Sequence, residues 1–333
     1  MGPFEVSKEL VAGLDDVQLR ALLERLLVAE ANLRGISHFA IAVSGNQTAA
    51  DGGVDASIRW NDLPEPADWL PRRLIFFQCK AEAMGPAKIR DEMRPAGKPR
   101  PIFSELAADA GAYVIFSTDD PTKSAMDHRL KAMRDSLGDV EQADRIQLDF
   151  YGADRIARWA NRHPGVAIWL LGQGGRSLGG WRPYGDWSAE GATSKPYIVD
   201  DQARATFGDE LVDMHSAIAN IRAALREPGG VARLVGLSGM GKTRLAEALF
   251  DENLGEGALP KAKAIYGDAG RDLEVGAARV AEELMLAGAD AILVVDNANA
   301  AIHGQLAEIA RRSGSHISVL TIDYDMGGEK PAG

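Results

Sequence analysis

A single cysteine, Cys79, in 333 residues excludes an internal disulfide and any cysteine-rich zinc site. The six histidines, His38, His128, His163, His215, His303 and His316, fall at no metal-ligand spacing, so each is read as a solvated or capping residue. No apolar run approaches the roughly 18 to 20 residues of a membrane span. The N-terminal stretch MGPFEVSKEL lacks the charged-then-apolar layout of a signal peptide, so the chain reads as cytoplasmic. Positive charge is short as well: the net charge is -11, which argues against a surface coated for nonspecific nucleic-acid binding. The deficit sits mainly in the second part, with 22 Lys and Arg against 25 Asp and Glu in residues 1–180, and 15 against 23 in residues 181–333.

What the chain does have is ordinary globular material, 46% hydrophobic and 26% charged, in a length that suits two domains of α/β class. Residues 15–34 repeat leucine at helical spacing (Leu19, Leu22, Leu23, Leu26, Leu27) behind Asp15 and Asp16. Strands are expected at 38–43, 54–60, 73–80, 112–117 and 146–150, with helices near 103–110, 121–136 and 153–162. Residues 172–195 are crowded with glycine and have no sustained period, which marks a linker between a domain at 1–171 and another at 196–333. Trp181 and Trp187 in that stretch are expected to dock it onto a domain. Beyond it, a helix near 208–226 precedes strands at 232–237, 263–267, 291–296 and 317–322, which alternate with helices near 242, 272–287 and 299–312. Such alternation implies a parallel sheet. Four strands followed by the loop-like MGGEKPAG also suggest a nucleotide-binding domain truncated before its last strand and lid.

Gly236-Leu-Ser238-Gly239-Met-Gly241-Lys242-Thr243 fits GxxxxGK[ST], with an apolar strand before it and RLAEALF after it. Glycines let backbone amides wrap phosphate oxygens, Lys242 reaches the β- and γ-phosphates, and Thr243 ligates Mg²⁺. The strand Ala291–Val295 then ends in Asp296, a carboxylate placed to hold the Mg²⁺ of bound ATP through water. Asn297 follows where fast ATPases carry an acid. An amide is no base, so slow turnover or switch-like use of ATP is expected.

A second chemistry lies in the first part. Asp55 closes DGGVD at the start of one strand, and Gln78-Cys79-Lys80 closes the next. Period two puts Gln78 and Lys80 on one strand face and Cys79 on the other, so Asp55 meets the first pair if the strands are neighbours. Glu30 continues the leucine stripe and would turn a carboxylate to the sheet, with Glu24 as competitor. Residues 72–100 hold Arg72, Arg73, Lys80, Lys88, Arg90, Arg94, Lys98 and Arg100 against Glu82, Asp91 and Glu92, a local balance of 8 minus 3, or +5. That stretch is either a solvated face or a phosphate contact.

The Asp55 and Gln78-x-Lys80 pattern resembles the PD-(D/E)XK nuclease superfamily in its Mrr-like branch. The resemblance implies that Asp55, Gln78 and Glu30 hold Mg²⁺ and that Lys80 orients the attacking water in phosphodiester hydrolysis. With DFYGADRIARWANRHPGVAIWL (149–170) and GLSGMGKTRLAEALF after it, the whole is similar to the start of an antiviral STAND NTPase of prokaryotic defence. Such membership implies a restriction-endonuclease-like α/β effector, a P-loop switch driven by ATP, and a phage-protein trigger bound by a C-terminal sensor outside this chain. It also implies assembly into homo-oligomers, usually tetramers, that cut double-stranded DNA. An NTP-dependent restriction-type endonuclease and a non-catalytic nuclease-derived scaffold are the alternatives.

Overall fold

The computed structural model describes residues 4–44, 53–175, 179–184, 199–200, 202–271 and 273–324. The chain is mixed α/β and divides into two compact units, one of residues 6–161 and one of residues 162–333 together with the N-terminal 1–5.

The first unit runs α1 (Lys8–Ala12), α2 (Asp16–Arg34), β1 (Ile41–Val43), β2 (Ala56–Arg59), β3 (Leu74–Lys80), α3 (Pro86–Met93), α4 (Ile102–Ala108), β4 (Ala112–Ser117), α5 (Lys123–Asp135), β5 (Gln147–Tyr151) and α6 (Ala153–Asn161). Its sheet has the order β1-β2-β3-β4-β5. β1, β2 and β3 pair antiparallel, whereas β3-β4 and β4-β5 are parallel. α2 starts at a capping box, in which Asp15 Oδ1 accepts from Gln18 N and Gln18 Oε1 accepts from Asp15 N. All five stripe leucines are fully buried, each contributing roughly 2 kcal/mol against exposure.

α3 was not foreseen, because KIRDEM reads as a charge run; Ile89 and Met93, four apart, are its buried contacts with the core under β3 and β4.

The second unit runs α7 (Pro164–Gln173), β6 (Arg182–Pro183), β7 (Arg204–Phe207), β8 (Glu210–Asp213), α8 (Met214–Arg226), β9 (Val231–Gly236), α9 (Lys242–Ala248), β10 (Ala264–Asp268), α10 (Ala277–Leu286), β11 (Ala291–Asp296), α11 (Ala300–Ala310) and β12 (Ile317–Tyr324). The sheet order is β6-β10-β11-β12-β9, with the four long strands parallel and β6 antiparallel at the edge. The parallel sheet expected from the alternating pattern is present.

Three expectations change. The division falls between Asn161 and Arg162, not after residue 171. α7 is apolar on all sides, buries residues 164–171, and finds its cover in the second unit, where Ile168 joins the core of Trp181, Ile265 and Leu293. The glycine-rich stretch is more than a linker, since it supplies β6 and Trp181, whose indole is buried and donates to Val275 O at 2.9 Å. Trp187 and residues 185–195 lie outside the described residues. Finally, the helix expected from 208 begins at Met214, capped by Asp213, and the residues before it form the β7-β8 hairpin.

Candidate functional site

β9 delivers Gly236 at its C-terminal end, and the loop 237–241 turns the chain into α9. Gly239 and Gly241 have φ of 82° and 78°, left-handed values that a side chain would strain. Leu237 and Met240 are exposed, so the loop stands open to solvent. Lys242 folds back over it and donates from Nζ to Gly236 O at 2.8 Å and Leu237 O at 2.9 Å. Thr243 Oγ1 donates to Asp296 Oδ2 at 3.1 Å, bringing the two side chains expected to share a cation side by side. The hard oxygens of Thr243 and Asp296 suit Mg²⁺.

Residues that sequence reasoning missed surround Asp296. Tyr266 on β10 donates from its hydroxyl to Asp296 Oδ2 at 3.1 Å. Burial and then the Asp296 carboxylate raise the Tyr266 phenol above its ordinary value, so it stays a donor. Asp268 ends β10 in register with Asp296, and Asn297 Nδ2 donates to Asp268 Oδ1 at 2.7 Å. The expected strand stopped at residue 267, one short of Asp268.

In the first unit, β2 and β3 are neighbours, and the last loop residue before β2 is Asp55. Its backbone N–H donates to Phe77 O at 2.9 Å. Its Oδ2 accepts from Gln78 Nε2 at 2.7 Å and from Cys79 N at 2.8 Å. Because Gln78 turns its amide N–H₂ to the carboxylate, Gln78 Oε1 is the other end of the amide, buried and without a hydrogen-bond partner. Asp55 Oδ1 has Arg20 Nε of α2 at 3.5 Å. Asp55 Oδ1 and Gln78 Oε1 are hard oxygens of the kind that Mg²⁺ prefers. Among the described residues no three of His, Cys, Asp and Glu gather as a metal-binding group.

Lys80 is on the same strand face but pairs with Glu92 of α3, Nζ to Oε2 at 2.5 Å. The other oxygen of Glu92 takes Arg100 Nη2 at 2.5 Å. Cys79 is buried on the opposite face, and burial pushes its thiol well above the ordinary range.

Glu30 does not join this group. It is buried, as the stripe required, but Oε1 takes Arg34 Nε at 3.0 Å and Oε2 takes Trp159 Nε1 at 3.2 Å. The α2 side chain at Asp55 is Arg20, ten residues or about 15 Å of helix away. Glu24, the competitor, is exposed. The +5 stretch is also largely neutralised: Arg73 pairs with Glu65, Lys88 with Glu82, Arg94 with Asp139, and Lys80 and Arg100 with Glu92.

Burial raises Asp55 above the usual aspartate value by more than the Cys79 N–H, Arg20 and Lys80 lower it. A carboxylate raised in the folded state is stabilised there when protonated. Folding therefore weakens as pH rises from the unfolded value through the folded one, and the cost is complete above both. Asp55→Asn is expected to melt above the parent at pH 7, with the difference closing as pH falls towards 4. A lower melting temperature than the parent at pH 7 contradicts this account of Asp55. No family model, curated protein or solved structure matches the chain.

Proposed function

We propose that residues 162–333 bind a nucleoside triphosphate with Mg²⁺, and that residues 6–161 are a Mg²⁺-dependent endonuclease whose action on DNA the nucleotide regulates. The observation that carries the first half is the contact of Thr243 with Asp296 at 3.1 Å beside the Lys242 loop. Lys242, whose Nζ donates to the Gly236 and Leu237 carbonyls, would reach the β- and γ-oxygens of a triphosphate from the same loop. Thr243 and Asp296 would hold Mg²⁺, which neutralises charge on the phosphates. These features support a P-loop NTPase domain.

The second half rests on Asp55 clamped by Gln78 and Cys79 beside a buried amide oxygen that accepts nothing. Arg20 and Lys80 stand near it, cations of the kind that contact a scissile phosphate, with Asp16 and Glu92 beside them. Together with the P-loop, this supports a prokaryotic antiviral STAND NTPase with a PD-(D/E)XK effector, assembling into oligomers to cut double-stranded DNA. The paired state of most of the 72–100 cations favours one competitor, a scaffold that contacts partners without cutting. Plasmid cleavage by the chain in Mg²⁺, abolished by EDTA, separates the two; absence of Mg²⁺-dependent cleavage with and without ATP selects the scaffold.

Lys242→Ala is expected to weaken Mg·ATP binding by roughly 100-fold, about 3 kcal/mol for charge-assisted hydrogen bonds to phosphate. The melting temperature without nucleotide should barely move, since Lys242 serves only carbonyls on an open loop. Calorimetry giving equal affinity in variant and parent would overturn the site.

A further inference from the structure

Resting on the triphosphate reading above, we infer that Asp268 is the general base for hydrolysis at this site, and that Asn297 is the residue that holds it in place. Asn297 is itself incapable of accepting the proton. Its surroundings, however, are built around a carboxylate. Asn297 has a φ of 53°, a left-handed conformation uncommon for a residue with a side chain. That turn lets its N–H donate to Asp296 Oδ1 at 2.9 Å while its side-chain amide reaches back to Asp268 Oδ1 at 2.7 Å. Asp268 Oδ1 also accepts from Gly270 N at 2.9 Å. A Cβ on Gly270 would come within 3.0 Å of the Asn297 side chain, so the glycine is what allows the amide to lie there. One Asp268 oxygen is in this way fixed by two donors. The other, Oδ2, faces the Nε of Arg271 at 3.2 Å and no other charged partner among the described residues; the arginine side chain is 69% exposed, so the oxygen is easily released to a water.

The position fits the chemistry. β10 and β11 run parallel, and Asp268 and Asp296 are partners in register at their C-terminal ends. Asp296 is the carboxylate that touches Thr243, so Asp268 lies one strand spacing, about 5 Å, further along the same sheet edge. In the step, the water oxygen forms a bond to the γ-phosphorus. The bond from that phosphorus to the β–γ bridging oxygen breaks, its electron pair leaving with the diphosphate. The water proton passes to Asp268 Oδ2 and then to solvent as products depart.

The test compares parent, Asp268→Asn, Asp268→Glu and Asn297→Ala in the 333-residue chain, with triphosphate affinity by calorimetry and turnover as phosphate release. Asp268→Asn should lose about 100-fold in kcat, the lower end for a positioned base, with affinity within threefold of the parent. Asp268→Glu should restore a measurable part, and Asn297→Ala should lose kcat without losing affinity. Parental kcat in Asp268→Asn overturns the assignment, as does a parent that binds triphosphate yet releases no more phosphate than Lys242→Ala. A parent that binds no triphosphate removes the site itself and the assignment with it.

Discussion

Cleavage of double-stranded DNA in Mg²⁺ is expected to fall by about a thousandfold in Asp55→Ala and by as much in Lys80→Ala, with the double variant little worse than either. Asp55 is the carboxylate that Gln78 holds beside its unpartnered oxygen, so on the nuclease reading its loss would remove the cation that stabilises the extra charge on the phosphate. On the nuclease reading Lys80 would act on the attacking water from the same strand face, with its ammonium held by Glu92, which Arg100 also pairs. Two groups serving one transition state do not add, because either loss already leaves only the uncatalysed route to that state. Cys79→Ser should keep cleavage near the parental level: the thiol is buried on the other face, and it is the backbone N–H that touches Asp55. Glu30→Gln should also keep the chemistry, since Glu30 faces Trp159 and Arg34, while lowering the melting temperature. The measurement is nicking of a supercoiled plasmid with Mg²⁺, repeated with ATP and with EDTA. Parental cleavage by the double variant would end the nuclease assignment and leave the scaffold.

The Glu30 outcome shows what a sequence pattern can and cannot fix. A stripe at helical spacing tells which face of α2 is buried, and Glu30 is indeed inside. It does not tell how far along the helix axis the sheet meets that face, and the site lies at Arg20. Asp55 with Gln78 was legible because it needs only two strands to be neighbours and period two to hold. Glu92 and Arg20 were not, since each reaches the site from a helix whose docking depends on the whole core. The fully apolar strands of the second unit were read almost to the residue, for Ala291–Asp296 has no other way to satisfy burial on both faces. The hairpin at 204–213 was lost because Leu211 and Val212 continue the apolar period of the helix behind them, although Gly208 at φ 62° marks the turn. Asp268 was missed for a similar reason. It is one residue beyond the apolar run, where pattern ends and tertiary pairing begins.

Arg222→Met is expected to lower the melting temperature of the second unit by roughly 10 °C, the consequence of about 3 to 5 kcal/mol in a unit of this size. Arg222 lies on α8 and is 2% exposed, yet no carboxylate pairs with it at ion-pair distance among the described residues. Its guanidinium instead donates to Leu249 O, Ala248 O, Asp251 O, Leu254 O and Glu256 O, at 2.7 to 3.2 Å. These are the carbonyls at the end of α9 and in the turn after it, where the helix presents its negative end. Burial lowers the guanidinium below its ordinary value, but not enough to take away its charge. Methionine matches the stem in volume and leaves all five carbonyls facing an apolar side chain. Lysine should rescue little, because one compact ammonium with three donors cannot span acceptors spread from Ala248 to Glu256. The helix so anchored carries Lys242 and Thr243 at its other end. Loss of Arg222 should therefore weaken triphosphate binding only near the lowered melting temperature, whereas Lys242→Ala weakens it at every temperature. Calorimetric melts with and without Mg·ATP distinguish the two, and an Arg222→Met melt within 2 °C of the parent would show that the carbonyls are satisfied without the guanidinium.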